Sequence, residues 1–274
     1  MPKLIRAIAE EAGVPPERVY SGVDVVGDVA IVRLAEVSGG DKKRLAAALL
    51  KELKNVRCVF EQVGGIEGEF RLRKLRHLAG EKRTLTLHRE NGCAFAVDVA
   101  RCYFSPRLAT ERLAIARRVA PVENVLNMFA GVGPFSVEVA KLARARVTSC
   151  EVNGYACELH EENNRLNKVE RKVRVIEGDA ADLPKLTKAK YDRILMPHPS
   201  QAERFLPTAL KMAKKNGVVH YYRHVLGRDE EEAAERLAAE LSKHLPASAR
   251  YSIRRVREVG ARWLEMAADI TLGP

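Results

Sequence analysis

Residues 127–135 read Asn127-Met-Phe-Ala-Gly-Val-Gly-Pro-Phe135 and directly follow the apolar run from Val122 to Leu126. A buried strand that enters a Gly-x-Gly turn and then a helix brings backbone N–H groups close to a nucleotide. About twenty residues further on, Val147-Thr-Ser-Cys-Glu-Val152 reads as a second strand ending in an acid, Glu151, a spacing that suits a carboxylate gripping a ribose diol. A third strand, Val173–Glu177, ends at Gly178-Asp179 and brings Asp179 near an adenine edge. A fourth, Tyr191–Met196, ends at Pro197-His198-Pro199. These positions fall at carboxyl ends of strands, where open α/β sheets bind ligands. Singly, the glycines also read as a tight turn, Glu151 as a surface acid and Asp179 as a helix N-cap. Their joint placement favours a nucleoside site.

Dinucleotide dehydrogenases and class I methyltransferases share this layout. The third glycine of a dinucleotide fingerprint is replaced by Ser136, and the chain ends in two strands close in sequence, Tyr251–Val256 and Leu264–Thr271. Both points favour the methyltransferase form, with S-adenosylmethionine as cofactor. Phe129, Gly131 and Gly133 would then shape the floor under its amino-acid end.

The elements needed to position these residues are legible as patterns. Strands alternate with helices at Leu108–Val119, Tyr155–Leu166, Ala202–Lys215 and Asp229–His244, which predicts a doubly wound, mostly parallel, Rossmann-like sheet with an antiparallel pair at its edge. Asn216-Gly217 reads as the C-cap of the third of these helices. Upstream, a helix at Leu4–Ala12, a hairpin about Gly27-Asp28 and an amphipathic helix at Asp41–Lys54 lead to a strand at Val56–Gln62, with a turn or close backbone approach marked by Gly64-Gly65 and Gly68. Phe70–Arg76, Thr84–Arg89 and Ala94–Val99 read as one small sheet with cations on one face. The expected organisation is a smaller N-terminal α+β domain, 1–107, and a class I methyltransferase domain, 108–274.

The 274 residues carry a formal net charge of +11, which favours a polyanionic partner. An ion-rich thermophile surface explains the many charges, and the scarcity of Gln (Gln62 and Gln201 only), but not the one-sided balance. The five cysteines form no CxxC or Cys/His spacing, and the seven histidines show no metal pattern, so no metal is expected. Cys150 precedes the acidic grip, but no base partner marks it as a nucleophile. The N-terminus lacks the apolar core of a signal peptide and no segment is long and apolar enough to span a membrane, so a cytoplasmic location is expected. A monomer is the expected form.

Several strings resemble one family: Val63-Gly-Gly-Ile-Glu-Gly-Glu-Phe-Arg71, Leu78-Ala-Gly-Glu81, Tyr103-Phe-Ser-Pro-Arg-Leu-Ala-Thr-Glu-Arg112, Met128–Phe135 and His220-Tyr-Tyr222. They are similar to the archaeal and eukaryotic tRNA (guanine-37) methyltransferases, over roughly residues 20–272. The resemblance implies methyl transfer from S-adenosylmethionine to N1 of guanosine 37, beside the anticodon, with the tRNA anticodon stem-loop as partner. It places the family's catalytic arginine and glutamate on Arg71 and Glu111, and its cofactor contacts on Arg112, Phe129, Glu151, Val152, Asp179 and Ala180, with Pro197 and Pro199 on the loop beside methyl donor and base. Most of the family's N-terminal module for the outer corner of tRNA is expected to be missing. Pro197-His198-Pro199, where many members carry Asn, resembles an archaeal subgroup that also methylates C7 of 4-demethylwyosine. A related branch transfers the cofactor's aminocarboxypropyl group instead. The intact Ser105-Pro106-Arg107 and Pro134 favour methyl transfer.

In that reading Glu111 removes the guanine N1 proton and Arg71 stabilises charge on O6. Residue type alone leaves Glu111 as a helix acid paired with a neighbouring cation and Arg71 as one more cation on a basic strand. The base must be turned out of its stack. Tyr103, Phe104 and Tyr222 read either as core aromatics or as the rings that stack on it, with Arg107 and His198, otherwise a loop residue, as further substrate contacts. Arg71, Arg73, Lys74, Arg76, Lys82, Arg83 and Arg89 would line a phosphate path. Arg250, Arg254, Arg255 and Arg257 form a second basic strand.

Overall fold

The computed structural model describes residues 3–34, 37–68 and 70–274. Glu69 of the Val63–Arg71 string and the start of the chain, Met1-Pro2, lie outside these residues. The chain divides into two compact units, Met1–Thr110 and Glu111–Pro274.

The first unit contains α1 (Lys3–Glu11), β1 (Val19–Val26), β2 (Val29–Leu34), α2 (Gly39–Glu52), β3 (Cys58–Glu67), β4 (Leu72–Gly80), β5 (Leu85–Glu90) and β6 (Cys93–Asp98). Its main sheet has the order β1-β2-β3-β4, with β2 and β3 parallel. Ser38 caps α2 by accepting from Asp41 N at 3.1 Å. Leu45, Ala46 and Leu49 of α2 pack with Ile8 and Ala9 of α1, and with Ala12 just after it, over Ala30, Val32 and Val59 of the sheet. The hairpin turn needs its glycine: a Cβ on Gly27 would sit 2.2 Å from Thr86 Oγ1, whose hydroxyl accepts from Asp28 N at 3.1 Å.

Two expectations need correction here. The three basic strands do not form one sheet: β4 pairs with β3, and β5 with β6 makes a separate ribbon. Gly64-Gly65 is not a turn but a shift of register inside β3, between Gln62 and Ile66, while the expected turn is present at Gly68, whose O accepts from Arg71 N. A glycine in a strand marks a bulge as readily as an end.

Helix α3 (Ala109–Arg118) begins with the last two residues of the first unit, and the second unit goes on with β7 (Asn124–Asn127), α4 (Pro134–Glu138, continued as a π turn to Ala143), β8 (Arg146–Glu151), α5 (Gly154–Leu166), β9 (Val173–Glu177), α6 (Leu183–Leu186), β10 (Tyr191–Met196), α7 (Ala202–Met212), β11 (Ala213–Leu226), α8 (Glu230–Leu241), β12 (Arg250–Gly260) and β13 (Trp263–Thr271). The sheet order is β12-β13-β11-β10-β7-β8-β9. Strands β9, β8, β7, β10 and β11 are parallel, and β13 runs antiparallel between β11 and β12. The doubly wound reading and its antiparallel edge are thus present. Helices α7 and α8 bury Phe205, Leu206, Ala209, Leu237 and Leu241 against Ile194, Val219, Met266 and Ala268. Helix α7 stops earlier than expected. Ala213 is already extended, and Asn216 (φ 58°) and Gly217 form an irregularity within the β11 segment rather than a helix cap.

The turn after β7 is packed from below by His160 of α5. Gly133 has φ 87°, and a Cβ there would lie 2.2 Å from the imidazole. His160 is wholly buried, and neither ring nitrogen has a hydrogen-bond partner among the described residues. Burial pushes its pKa down from the usual 6.5 to about 3. Above pH 6.5 the ring is neutral in folded and unfolded chains alike. Between 6.5 and 3 only the unfolded chain takes up the proton, so stability falls as pH falls, by about 1.4 kcal/mol per pH unit from this group. His160→Leu should remove that contribution. Urea midpoints measured at pH 7.5 and pH 5 are expected to converge in the variant relative to wild type, and an unchanged gap would show that His160 does not carry it.

Candidate functional site

The loop after β7 rests on three buried polar side chains. Asn127 Nδ2 donates to Ser136 Oγ at 3.0 Å, Ser149 Oγ donates to Ser136 Oγ at 2.7 Å, and Asn127 Oδ1 accepts from Phe129 N at 3.3 Å. All three residues are fully buried, so satisfied hydrogen bonds here fix the loop's shape. Ser136, noted in the sequence only as a missing glycine, is the hub of this network. Gly131 (φ 55°) and Gly133 (φ 87°) take left-handed conformations that a side chain would resist, and Pro134 occupies the first turn of α4, where its missing N–H costs nothing.

Glu151 closes the loop from the neighbouring strand. Its Oε2 accepts from Gly131 N at 2.7 Å and its Oε1 from Asn153 N at 2.9 Å. Burial raises its pKa, and the backbone N–H donors oppose that rise. A carboxylate offers about four acceptor positions. Gly131 N and Asn153 N take two, and the Val152 N–H also favours the charged form, which leaves acceptor capacity for a hydroxyl donor such as a ribose. Val152 follows directly, and Asn153 caps α5 by accepting from Ala156 N at 3.3 Å. At the end of β9, Gly178 N donates to Glu151 O at 2.9 Å, and Asp179 accepts from Ala181 N at 2.8 Å beside buried Ala180. Asp179 is therefore a cap and a strand-end acid at once. Cys150 is buried, and burial pushes its thiol up to about 12, which leaves it a small hydrophobe.

On the other side of the loop Phe129 packs edge-on against His198 (centroids 5.1 Å) and Phe205 (4.9 Å). The 197–199 segment is anchored where Pro199 O accepts from His224 N at 3.3 Å. His198, between its two prolines, is thus part of the wall beside Phe129.

Glu111 is 7% exposed and accepts three hydrogen bonds from residues on two strands. Tyr222 Oη donates to Oε1 at 2.6 Å, Arg254 Nη2 to Oε1 at 2.6 Å and Arg254 Nη1 to Oε2 at 2.8 Å. Two corrections follow. Tyr222 is 1% exposed, its ring lies against Phe135 (6.3 Å) and its hydroxyl is spent on Glu111, so it is no platform for a base. The second basic strand is not a free cationic face: Arg254 holds Glu111, Arg255 pairs with Glu230 (3.6 Å) and Arg257 with Glu265 (2.6 Å). Arg112 is 2% exposed and pairs with Glu138 at 3.6 Å, under the ring of Phe135. That pair ties α3 to α4.

In the first unit, Arg71 has φ 54°, an uncommon conformation for a residue with a side chain and one that costs roughly 1–2 kcal/mol. Arg71 N donates to Gly68 O at 3.1 Å, and the guanidinium lies 4.6 Å from the Tyr103 ring centroid. Two separately expected residues are thus in contact, on a turn whose strain marks it as a functional candidate. Arg107 and Arg73 share Asp24, at 2.7 and 3.1 Å. The expected phosphate path needs revision: Arg73 is buried, Arg76 pairs with Glu61 (3.5 Å), and Arg83 is taken by Asp28 and Glu81. Phe104 is buried against His88 and Phe95, which leaves Tyr103 as the half-exposed aromatic of the expected three.

Among the described residues no group of His, Cys, Asp or Glu is arranged to hold a metal ion, and no helix is long and apolar enough to cross a membrane.

Residues 86–246 match the profile of the TRM5/TYW2 methyltransferase domain, and residues 8–84 that of the TYW2 N-terminal domain. The tRNA (guanine(37)-N(1))-methyltransferase Trm5b of Pyrococcus abyssi is 43% identical over 199 residues, covering 73% of this chain and 58% of that protein. This chain therefore spans less than two thirds of that relative's length. The tRNA (guanine(37)-N(1))/4-demethylwyosine(37)-methyltransferase Taw22 of Nanoarchaeum equitans is 28% identical over 299 residues, covering 91% of this chain and 99% of that one. The solved complex of aTrm5 with tRNALeu superposes with a TM-score of 0.86 at 34% identity, covering 98% of this chain and 78% of that one. With the strand-end loop, its acid and its antiparallel sheet edge all in place, this chain belongs to the TRM5/TYW2 methyltransferase family.

Proposed function

We propose that this chain is an S-adenosylmethionine-dependent tRNA methyltransferase that acts at position 37, on N1 of guanosine and on C7 of 4-demethylwyosine. The observation that carries the cofactor is the Glu151 carboxylate, fixed by Gly131 N and Asn153 N with acceptor capacity left for a ribose hydroxyl. The residues present fit that cofactor: Glu151 for the ribose, Asp179 and Ala180 for the adenine, Gly131 and Gly133 with Phe129 and Val152 for the rest. Pro197 and Pro199 shape the neighbouring wall, and Arg112 is the nearby cation on α3. When bound, the cofactor supplies an electrophilic methyl group.

Guanine N1 is a poor nucleophile while protonated. Glu111 accepts that proton, and Oε2 is the oxygen that still has an acceptor position, because Oε1 is filled by Tyr222 and Arg254. Arg71 meets the charge that gathers on O6 as the proton leaves. Its contact with Tyr103 holds the guanidinium to a ring. Arg107 and His198 are proposed substrate contacts. The net charge of +11 supports an RNA partner, and the cytoplasm is the proposed location.

Aminocarboxypropyl transfer is the second reading. The match of residues 8–84 to the TYW2 N-terminal domain favours it, while Ser105-Pro106-Arg107 and Pro134 favour methyl transfer.

Incubation with S-adenosylmethionine and two tRNAs, one with guanosine and one with 4-demethylwyosine at position 37, followed by nucleoside mass spectrometry, is expected to show a one-methyl gain. A gain of the larger aminocarboxypropyl group would establish the second reading. Glu111→Gln should lower turnover by about 10²–10⁴-fold with little change in tRNA binding; equal loss in both would contradict its role as base. Glu151→Ala should weaken cofactor binding in calorimetry, and an unaltered affinity would remove it from the site.

A further inference from the structure

We infer that Arg254 and Tyr222 are positioning residues for Glu111, which together hold its carboxylate in one orientation and leave a single acceptor position, on Oε2, facing the proton to be removed. The inference rests on the proposed role of Glu111 as base.

The geometry is that of a clamp. The planar guanidinium of Arg254 meets both oxygens, at 2.8 and 2.6 Å, and so fixes the plane of the carboxylate. Tyr222 adds a third hydrogen bond at 2.6 Å to Oε1, which fixes which oxygen is occupied. A lysine in place of Arg254 would supply charge without the two-pronged geometry. Neither clamp residue is free to turn. Tyr222 is 1% exposed, and burial together with the adjacent carboxylate raises its hydroxyl well above the usual 10, so it stays a donor. Arg254 Nε lies 3.7 Å from Asp269 Oδ2, and Asp269 is held by Arg118 at 2.5 Å and by His220 Nδ1 at 2.6 Å. His220 Nε2 lies 2.8 Å from Arg193 Nη1. Arginine only donates, so Nε2 accepts and Nδ1 carries the proton that goes to Asp269. The clamp is thus braced from behind by a neutral imidazole of fixed tautomer, on a motif, His220-Tyr-Tyr222, that the proposed chemistry otherwise leaves without a task.

A loosely held base is a poor one, because misplacement by about 1 Å costs on the order of 10²-fold in rate. The test uses Tyr222→Phe, Arg254→Lys and Arg254→Met, each alone and combined with Glu111→Gln, with kcat and KM measured on tRNA. Alone, each change should lower kcat and leave KM for tRNA unchanged. Arg254→Met should fall by roughly 10–100-fold, and Arg254→Lys should retain part of the loss. In the Glu111→Gln background the same changes should have little further effect, because their route to the substrate has been removed. Thermal melts establish that each variant is folded, and Tyr222→Phe, which deletes one oxygen, keeps the comparison available if Arg254→Met is not. Equal losses in both backgrounds, or full kcat in folded Tyr222→Phe and Arg254→Lys, would overturn the clamp while leaving Glu111 as base. Full turnover of Glu111→Gln itself would overturn the base and the clamp together.

Discussion

Burying a carboxylate at the end of β8 costs desolvation, and two backbone N–H groups, from Gly131 and Asn153, offset that cost at hydrogen-bond distance. The rest of this unit is arranged so that those two groups are where Glu151 needs them. Gly131 N points at the acid because the loop is left-handed at Gly131 and Gly133, and the loop keeps that shape because Asn127, Ser136 and Ser149 close a buried hydrogen-bonded set beneath it. His160 presses on Gly133 from α5 and forbids any larger residue there. A strand-end acid, a glycine turn and a polar brace thus depend on one another, and replacing any one alters the others.

A second polar system runs through the same unit from Glu111 to Arg254, Asp269, His220, Arg193 and Glu123, with Arg193 Nε 2.7 Å from Glu123. Its members come from α3, β12, β13, β11, β10 and the turn before β7. Such a chain is costly to bury half-satisfied, and it fixes the register of the antiparallel edge against the parallel sheet. The edge strands, which have no part in the nucleoside site, thereby gain a role in placing the carboxylate proposed as base.

The parts of this arrangement written in neighbouring residues were legible before folding. The Gly131–Pro134 turn, Glu151 at the end of one strand and Asp179 at the end of the next follow from local pattern and from the rule that ligands bind at carboxyl strand ends. Pairings made across long separations were not. Arg254 meets Glu111 143 residues away, and nothing in a strand of four arginines says which of them will turn inward. The placement of β4 beside β3 rather than with β5 and β6 is likewise a matter of non-local register. Tyr222 reads as an available aromatic because burial of a ring and burial of its hydroxyl look alike in sequence. The excess of cations was visible, but the acids that neutralise Arg73, Arg76 and Arg83 come from other strands and turns. The strain at Arg71 had no sequence signal, since a positive φ at a non-glycine residue is imposed by its surroundings.

The central claim is that the nucleoside end of the cofactor is held by Glu151 at the end of β8. A crystal structure of the chain with S-adenosylhomocysteine tests it most directly. The account predicts a ribose hydroxyl on the Glu151 carboxylate, with the adenine beside Asp179 and Ala180. A ligand bound elsewhere, or one whose ribose leaves Glu151 bonded only to Gly131 and Asn153, would contradict it.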